Sequence, residues 1–193
     1  MKTLIRPAIS LFVLLSVITG LLYPLATTGI GTILFPVQAS GSLIEQNHKL
    51  LGSSLIGQQF SSPGYFWGRP SATGPMPYNG VNSGGSNFGP SNPAQKSAVA
   101  ERIKALHDAD PTNTGAIPVD LVTASGSGLD PEISPAGAGY QIARIAKARN
   151  VSATVLAQLI VQHTSPPQWG MLGEARVNVL QLNLSLDRLS SGN

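Results

Sequence analysis

The fold is decided near the start of the chain, where residues 8–35 read AISLFVLLSVITGLLYPLATTGIGTILF. This run lies inside a stretch of 38 residues, 7–44, that carries no charged side chain. A helix rises about 1.5 Å per residue and the hydrocarbon core of a bilayer is about 30 Å thick, so the run is long enough to cross a membrane. We therefore expect residues 8–35 to form a single transmembrane helix that satisfies its own backbone hydrogen bonds.

Pro24 interrupts this predicted span. Proline has no N–H to donate and its ring clashes with the preceding turn, so we expect the helix to kink there. Thr19 and Gly20 precede the proline by about one turn. We expect them to accommodate the freed carbonyl and to allow close packing with a partner helix.

The charges around the apolar run predict its orientation. Lys2 and Arg6 precede it, and no positive charge follows it before Lys49. A cleaved secretory signal is the alternative interpretation, but the apolar part of a signal has about 7–15 residues, far fewer than this run. On either interpretation, residues 1–7 are expected in the cytoplasm and residues 36–193 outside it.

Composition excludes several classes of protein. Charged residues make up 11% of the chain, against about 25% in ordinary soluble proteins. With 21 glycines and 15 prolines, a coiled coil or an all-helical bundle is excluded, and 42% apolar content excludes disorder. Beyond Arg6, ten basic residues stand against nine acidic ones, so we expect no nucleic-acid partner. The absence of cysteine excludes disulfides and thiolate chemistry.

The remainder of the chain predicts one α+β domain. Four residues are placed to cap helices, Asn92, Ser134, Ser152 and Asn178, and proline follows the first two directly. The run that follows Asn178, VLQLNLSLDRL, also has the alternation of a strand, but the capping residue favours a helix. Short strands are predicted between the turns of the first half, at residues 54–56, 65–67 and 119–123.

The sequence offers no catalytic motif. His48, His107 and His163 are each more than fifty residues from the next and have no ligand spacing, so we expect no metal site. No G-x-S-x-G nucleophile motif or phosphate-binding loop is present. We therefore predict no catalytic residues and expect that the chain is not an enzyme.

One polar loop is a candidate binding element. Residues 122–131, VTASGSGLDP, join a predicted strand to the helix capped by Ser134. Their hydroxyl and N–H groups are suited to line a groove near the positive end of that helix. A tight turn whose polar groups bond to each other is the alternative.

The order of the motifs resembles a known family. The resemblance is carried by RPA at 6–8, YPL at 23–25, GSSLIGQQF at 52–60, YFWGRPSAT at 65–73, LVTASGSGLDPEISP at 121–135, QIARIAKARN at 141–150 and VNVLQLNLSLD at 177–187. These segments resemble the C subunit of the potassium-transporting P-type ATPase, the Kdp complex, essentially from end to end.

This resemblance implies a non-catalytic, single-span subunit of a bacterial inner-membrane complex that imports K⁺ with ATP. The implied partners are membrane lipid, an ATP-hydrolysing pump subunit, a channel-like potassium-binding subunit and a small additional subunit. The resemblance also implies a catalytic chaperone that promotes ATP binding, with ATP as the associated cofactor. It nominates Gln141 for nucleotide contact, with Ser125, Ser127 and Asp130 as its neighbours.

The predicted topology conflicts with direct nucleotide contact, because ATP is scarce outside the cytoplasm. It favours a second role, in which the outer domain caps the potassium entrance and Asp120, Asp130 and Glu132 raise the local cation concentration. An independent membrane-anchored binding module or hydrolase, acting through the SGSGLD loop at 125–130, is the alternative function.

Overall fold

The N-terminal apolar run forms one long helix in the computed structural model, which describes residues 2–190. Helix α1 spans Lys2–Val17, a π-helical turn spans Ile18–Leu22, and helix α2 spans Tyr23–Leu34. Within the described residues, Thr3–Leu34 is the one helix long and apolar enough to cross a membrane, with a mean hydropathy of 2.2. The prediction of a single long apolar helix is confirmed, although the helix begins before residue 8.

The irregularity predicted at Pro24 lies just before it, in the π-helical turn. The N–H of Tyr23 donates to the carbonyl of Ile18, five residues back, instead of the usual four. A wider turn gives room to a proline ring that would otherwise crowd the preceding carbonyl. The hydroxyl of Thr19 donates to Leu15 O at 2.7 Å, so this polar side chain is satisfied within the helix.

A short connection follows the long helix. The first of two compact units ends at Leu51, and the second begins at Gly52. The elements of the connection are α3 at Pro36–Ala39, β1 at Leu43–Gln46 and β2 at Lys49–Ser53. Strands β1 and β2 pair through a two-residue turn in which Asn47 and His48 both have positive φ. Such turns match the twist of the strands that they join.

The second unit combines helices with a small antiparallel sheet. Its elements are α4 at Pro93–Ala109, a 3₁₀ turn at Val119–Leu121, β3 at Glu132–Ile133, α5 at Pro135–Tyr140, α6 at Ile142–Arg149, α7 at Ala153–Gln162, β4 at Thr164–Ser165, β5 at Arg176–Asn178 and α8 at Val179–Ser190. Strand β5 is central, with Val177 opposite both Ile133 of β3 and Thr164 of β4. The predicted α+β class is confirmed.

The predicted helix caps are confirmed. The side-chain oxygens of Asn92, Ser134, Ser152 and Asn178 each accept a hydrogen bond from a backbone N–H two or three residues further on. These bonds satisfy donors that a helix terminus leaves unpaired. The helix that follows Ser134 is divided at Gln141, which separates α5 from α6.

The three predicted strands are wrong. Residues 54–56 form a turn, and the segment predicted at 119–123 begins with the 3₁₀ turn. Residues 65–67 lie outside any strand, although their aromatic side chains favour one. The reason is that side chains, rather than a neighbouring strand, bond the backbone of this segment.

The core of the second unit lies between the sheet, the helices and the aromatic segment. Its buried apolar residues are Phe66, Leu106, Leu121, Val122, Ile133, Ala138, Ile145, Leu156, Leu159, Ile160, Val177, Val179, Leu182 and Leu186. Most of them come from α5 to α8 and from the strands, and Phe66 is the one member of this list that precedes α4.

Candidate functional site

Two buried amide side chains hold the backbone of the aromatic segment Tyr65–Trp67. Phe66 N donates to Asn183 Oδ1, and Asn183 Nδ2 donates to Phe66 O, both at 2.9 Å. Trp67 N donates to Gln141 Oε1 at 2.8 Å, and Gln141 Nε2 donates to Trp67 O at 3.1 Å. Each amide thus makes the two backbone hydrogen bonds that a residue of a neighbouring strand would otherwise make.

Gln141, nominated for nucleotide contact, is 1% exposed. Besides its two bonds to Trp67, its Nε2 donates to Gly137 O at 3.1 Å and its Oε1 accepts from Arg144 Nη2 at 2.7 Å. Its oxygen therefore accepts two bonds and its nitrogen donates two, which is the full capacity of an amide. A nucleotide contact would have to exchange one of these bonds, and the contact stays a prediction.

Arg144 is the third buried polar group on this segment. Its guanidinium donates to Pro63 O and to Tyr65 O, and it stacks 4.3 Å from the centre of the Trp67 ring. Burial lowers the pKa of Arg144 to about 10, against an opposing effect from Asp110. The side chain therefore remains a cation at neutral pH, with backbone carbonyls and an aromatic face as its partners.

Arg149 and Asp187 hold the start of the segment from outside. Arg149 Nε donates to Gly64 O at 2.8 Å, and its guanidinium lies 4.3 Å from the centre of the Tyr65 ring. Arg149 Nη1 also pairs with Asp187 Oδ1 at 2.8 Å, and the Tyr65 hydroxyl donates to Asp187 Oδ2 at 3.2 Å. Helices α6 and α8 thus both contact the same short segment.

The SGSGLD loop contains the other three nominated residues. Ser125 is buried, while Ser127 is exposed and accepts a bond from Leu129 N at its Oγ, at 3.1 Å. Asp130 Oδ2 pairs with Arg69 Nη1 at 3.1 Å, and its Oδ1 accepts from Glu132 N at 3.0 Å. The local bonds of Ser127 and Asp130 are those of a tight turn.

The loop also packs closely on the segment around residues 71–85. Ser71 Oγ donates to Gly128 O at 2.7 Å, and Gly84 N donates to Ser127 O at 2.9 Å. Gly128 has a φ of +66°, and a Cβ there would lie 2.5 Å from Thr73 Cγ2 and 2.7 Å from Gly84 O. The glycine is therefore required both by the turn and by the contact.

Gln141 and Asp130 both bind residues of one short segment, 67–69. Gln141 holds Trp67, and Asp130 pairs with Arg69, two residues further along. Among the described residues, no group of three or more histidine, aspartate or glutamate side chains is placed to hold a metal ion. The bonds of Gln141 and Asp130 hold residues 67–69 in place. The two side chains do not form an acid–base pair with each other.

The acids predicted to concentrate cations have specific local partners. Asp120 Oδ2 accepts from Ser134 N at 2.7 Å, and Glu132 pairs with Arg176 at 3.0 Å. With Asp130 paired to Arg69, two of the three carboxylates lie beside a guanidinium. Such pairs reduce the field that these carboxylates exert on a passing cation.

Sequence reasoning missed Asn183 and Arg144. Asn183 lies four residues after the buried Val179, on the apolar face of α8, and is itself 1% exposed. Arg144 precedes the buried Ile145 and is 6% exposed. A polar residue on an apolar helical face was the available signal, because such a residue needs an internal partner.

Comparisons with known proteins agree along the whole chain. A family profile described as "KdpC: K+-transporting ATPase, c chain" matches residues 5–188. A Polaromonas naphthalenivorans protein is 60% identical over 193 residues, covering 100% of this chain and 98% of its own. A Dechloromonas aromatica protein is 60% identical over 190 residues (98% and 100%), and one from Herpetosiphon aurantiacus is 59% identical over 191 residues (99% and 99%). All three are named "Potassium-transporting ATPase KdpC subunit".

Proposed function

Because the chain belongs to the KdpC family, the c chain of a K⁺-transporting ATPase, we propose that it is an accessory subunit of an ATP-driven potassium-import complex. The full-length match to relatives of that name carries the proposal. The chain has no DKTGT motif for an aspartyl-phosphate, so ATP hydrolysis would belong to another subunit. Its proposed partners are an ATP-hydrolysing subunit, a channel-like potassium-binding subunit and a small additional subunit.

Purification of the complex tests this assignment. Gentle detergent extraction followed by affinity capture of this chain is expected to bring down a multi-subunit, K⁺-stimulated ATPase. Capture of the chain alone, with its partners expressed in the same cell, would instead support the alternative, an independent membrane-anchored binding module or hydrolase.

We propose a single-pass topology in the bacterial inner membrane, with the N-terminus in the cytoplasm. Within the helix Thr3–Leu34, residues 8–34 supply the span, and Lys2 and Arg6 before them are the charges that favour retention inside. The second unit then lies outside the cytoplasm, where it is placed to brace the channel-like subunit at its potassium entrance.

The absence of cysteine allows a direct test of topology. Val81 is 99% exposed, so Val81→Cys provides a reactive thiol in the second unit, and Thr3→Cys provides its counterpart at the N-terminus. In intact spheroplasts, a membrane-impermeant maleimide is expected to label only the cysteine at 81. Labelling of the cysteine at 3 before permeabilisation, with none at 81, would reverse the topology.

The chaperone role is a separate proposal, in which Gln141 with Ser125, Ser127 and Asp130 promotes ATP binding by the pump subunit. It competes with the topology proposed above, which puts these residues outside the cytoplasm, where ATP is scarce. The geometry requires a careful test, because substituting Gln141 also removes bonds that hold Trp67. Asn183 provides a matched control, since it holds Phe66 through two equivalent bonds and is not among the nominated residues.

The test compares Gln141→Met with Asn183→Leu, two changes that remove an amide while keeping side-chain size. A raised KM for ATP in the assembled complex for Gln141→Met, with little change for Asn183→Leu, supports the chaperone role. An equal effect of both variants, or no effect of either, would assign Gln141 to the architecture of the domain alone.

A further inference from the structure

A cavity of about 270 Å³ lies between the aromatic segment and helix α4. Trp67 and Arg69 line one part of it, Arg102 from α4 another, and Tyr78 a third. It contains neither Gln141 nor any of the nominated loop residues. Trp67 and Arg69 are bonded to Gln141 and Asp130, so the cavity adjoins the site that the proposed chaperone role would use.

The charge of the lining is one-sided. Two guanidinium groups, those of Arg69 and Arg102, line the cavity, and no carboxylate is among the lining residues. The third ionisable group, the Tyr78 phenol, stays neutral, because burial raises its pKa to about 12. Asp130 offsets part of the Arg69 charge, so Arg102 is the less compensated cation. In a partly enclosed space its charge attracts an anion more strongly than it does in bulk water.

Both arginines have a reason to accept a further partner. Arg69 pairs with Asp130 through Nη1, but its Nε is buried and has no hydrogen-bond partner in the described structure. Arg102 Nη1 donates to Val122 O at 2.9 Å, a neutral acceptor. Burial lowers the pKa of Arg102, which is the effect of desolvating a cation. An anion in the cavity would contact the exposed part of the Arg69 side chain, which amounts to 27% of its surface, rather than the buried Nε.

The other walls are apolar. Phe60, Trp67, Pro70, Leu106 and Leu121 all line the cavity. Binding sites for small organic molecules combine such walls with a few polar groups that fix orientation. An inorganic ion would leave these walls without contacts, so the lining fits an anionic group that is attached to an apolar body.

We propose that this cavity binds a small organic anion, with a carboxylate or phosphate between Arg69 and Arg102 and an apolar body against Trp67 and its neighbours. Guanidinium groups bind both kinds of anion through charge-assisted hydrogen bonds. The proposal does not depend on the transport role of the complex.

Tryptophan fluorescence provides the test. The chain has two tryptophans, Trp67 in the cavity wall and Trp169, which is 85% exposed. In the full-length Trp169→Phe chain in detergent, Trp67 is the only tryptophan. Benzoate and phenyl phosphate are expected to change its emission saturably, whereas benzyl alcohol and inorganic phosphate are expected to bind at least tenfold more weakly.

Variants on α4 separate a specific site from general charge. Arg102→Gln is expected to raise the Kd for benzoate about tenfold or more. Lys104→Gln removes the same charge from an exposed position of the same helix, where Lys104 pairs with Asp108, and is expected to leave the Kd unchanged. Ala105 is exposed and lines the cavity, so Ala105→Phe is expected to abolish binding without disturbing the core.

Three results would overturn the proposal: no saturable response to benzoate or phenyl phosphate, equal binding of benzyl alcohol, or equal effects of the changes at Arg102 and Lys104. Far-ultraviolet circular dichroism of each variant checks folding. If Arg102→Gln fails to fold, Ala105→Phe and the comparison of charged with neutral probes still decide the question.

Discussion

The side chain of Asn183 makes two hydrogen bonds to a single residue 117 positions earlier, accepting from Phe66 N and donating to Phe66 O. Gln141 makes the same pair of bonds to Trp67, 74 positions earlier in the chain. Two consecutive residues are thus held by two amides, one from helix α8 and one from the junction of α5 and α6, and the ring of Phe66 is buried in the core.

We expect Asn183→Leu to lower the free energy of unfolding by about 2–4 kcal/mol. The substitution keeps the approximate volume but leaves the buried N–H and C=O of Phe66 without partners. Urea unfolding of the full chain in detergent, followed by fluorescence, measures the change. Gln181→Ala, at an exposed position of the same helix, is the control and is expected to change stability by less than about 0.5 kcal/mol. Equal effects at 181 and 183 would show that the two bonds contribute nothing.

We expect Gly128→Ala to destabilise the second unit by about 2 kcal/mol or more. Alanine at a φ of +66° is strained, and its Cβ would lie 2.7 Å from the backbone oxygen of Gly84, which has little freedom to move. Gly126→Ala, two residues away in the same loop, is the matched control, since its Cβ would meet nothing within 4 Å. Thermal unfolding of the two variants is compared, and a tolerated alanine at 128 would contradict the packing of this loop.

We expect Arg144→Lys to lower the free energy of unfolding by about 2–3 kcal/mol, although it preserves the charge. An ammonium has no planar face to stack on Trp67 and cannot reach the carbonyls of Pro63 and Tyr65 in the same geometry. Lys147→Arg, exposed on the same helix, is the control. Unfolding curves for both variants test the prediction, which fails if the two substitutions have equal effects.

His163 is expected to make the fold acid-sensitive. Burial, and then the nearby Arg188, lower the pKa of His163 below its ordinary value of 6.5. The unfolded chain therefore binds a proton more readily than the folded chain, so the contribution of His163 is complete above pH 6.5 and is lost as the pH falls through its folded pKa. His163→Gln is expected to flatten the dependence of unfolding free energy on pH between 7 and 5. An unchanged slope would exclude His163 as its source.

Local signals in the sequence were sufficient for part of this architecture. Asn92, Ser134, Ser152 and Asn178 are capping residues whose hydrogen bonds span only two or three positions, so the pattern around each one predicts the start of a helix. The apolar run of the first helix is also a local signal, because its length and composition alone predict a helix that can cross a membrane.

Long-range partners were beyond that reasoning. Residues 65–67 have the aromatic content of a strand, but their backbone partners come from Gln141 and Asn183, far along the chain. No local pattern indicates that a side chain will replace a neighbouring strand. The same applies to the candidate site, where resemblance nominated Gln141 but gave no sign that its amide is fully bonded within the fold.

The two amides have a consequence for tolerance of acidity. Neither asparagine nor glutamine ionises, and Arg144, whose pKa is about 10, holds its proton throughout the acid range. Hydrogen bonds to carboxylates would weaken as protons neutralised the carboxylates. The bonds from Gln141 and Asn183 persist when the pH falls. The backbone conformation of Phe66 and Trp67 is therefore held by groups that do not change charge in acid, even where other groups of the protein are protonated.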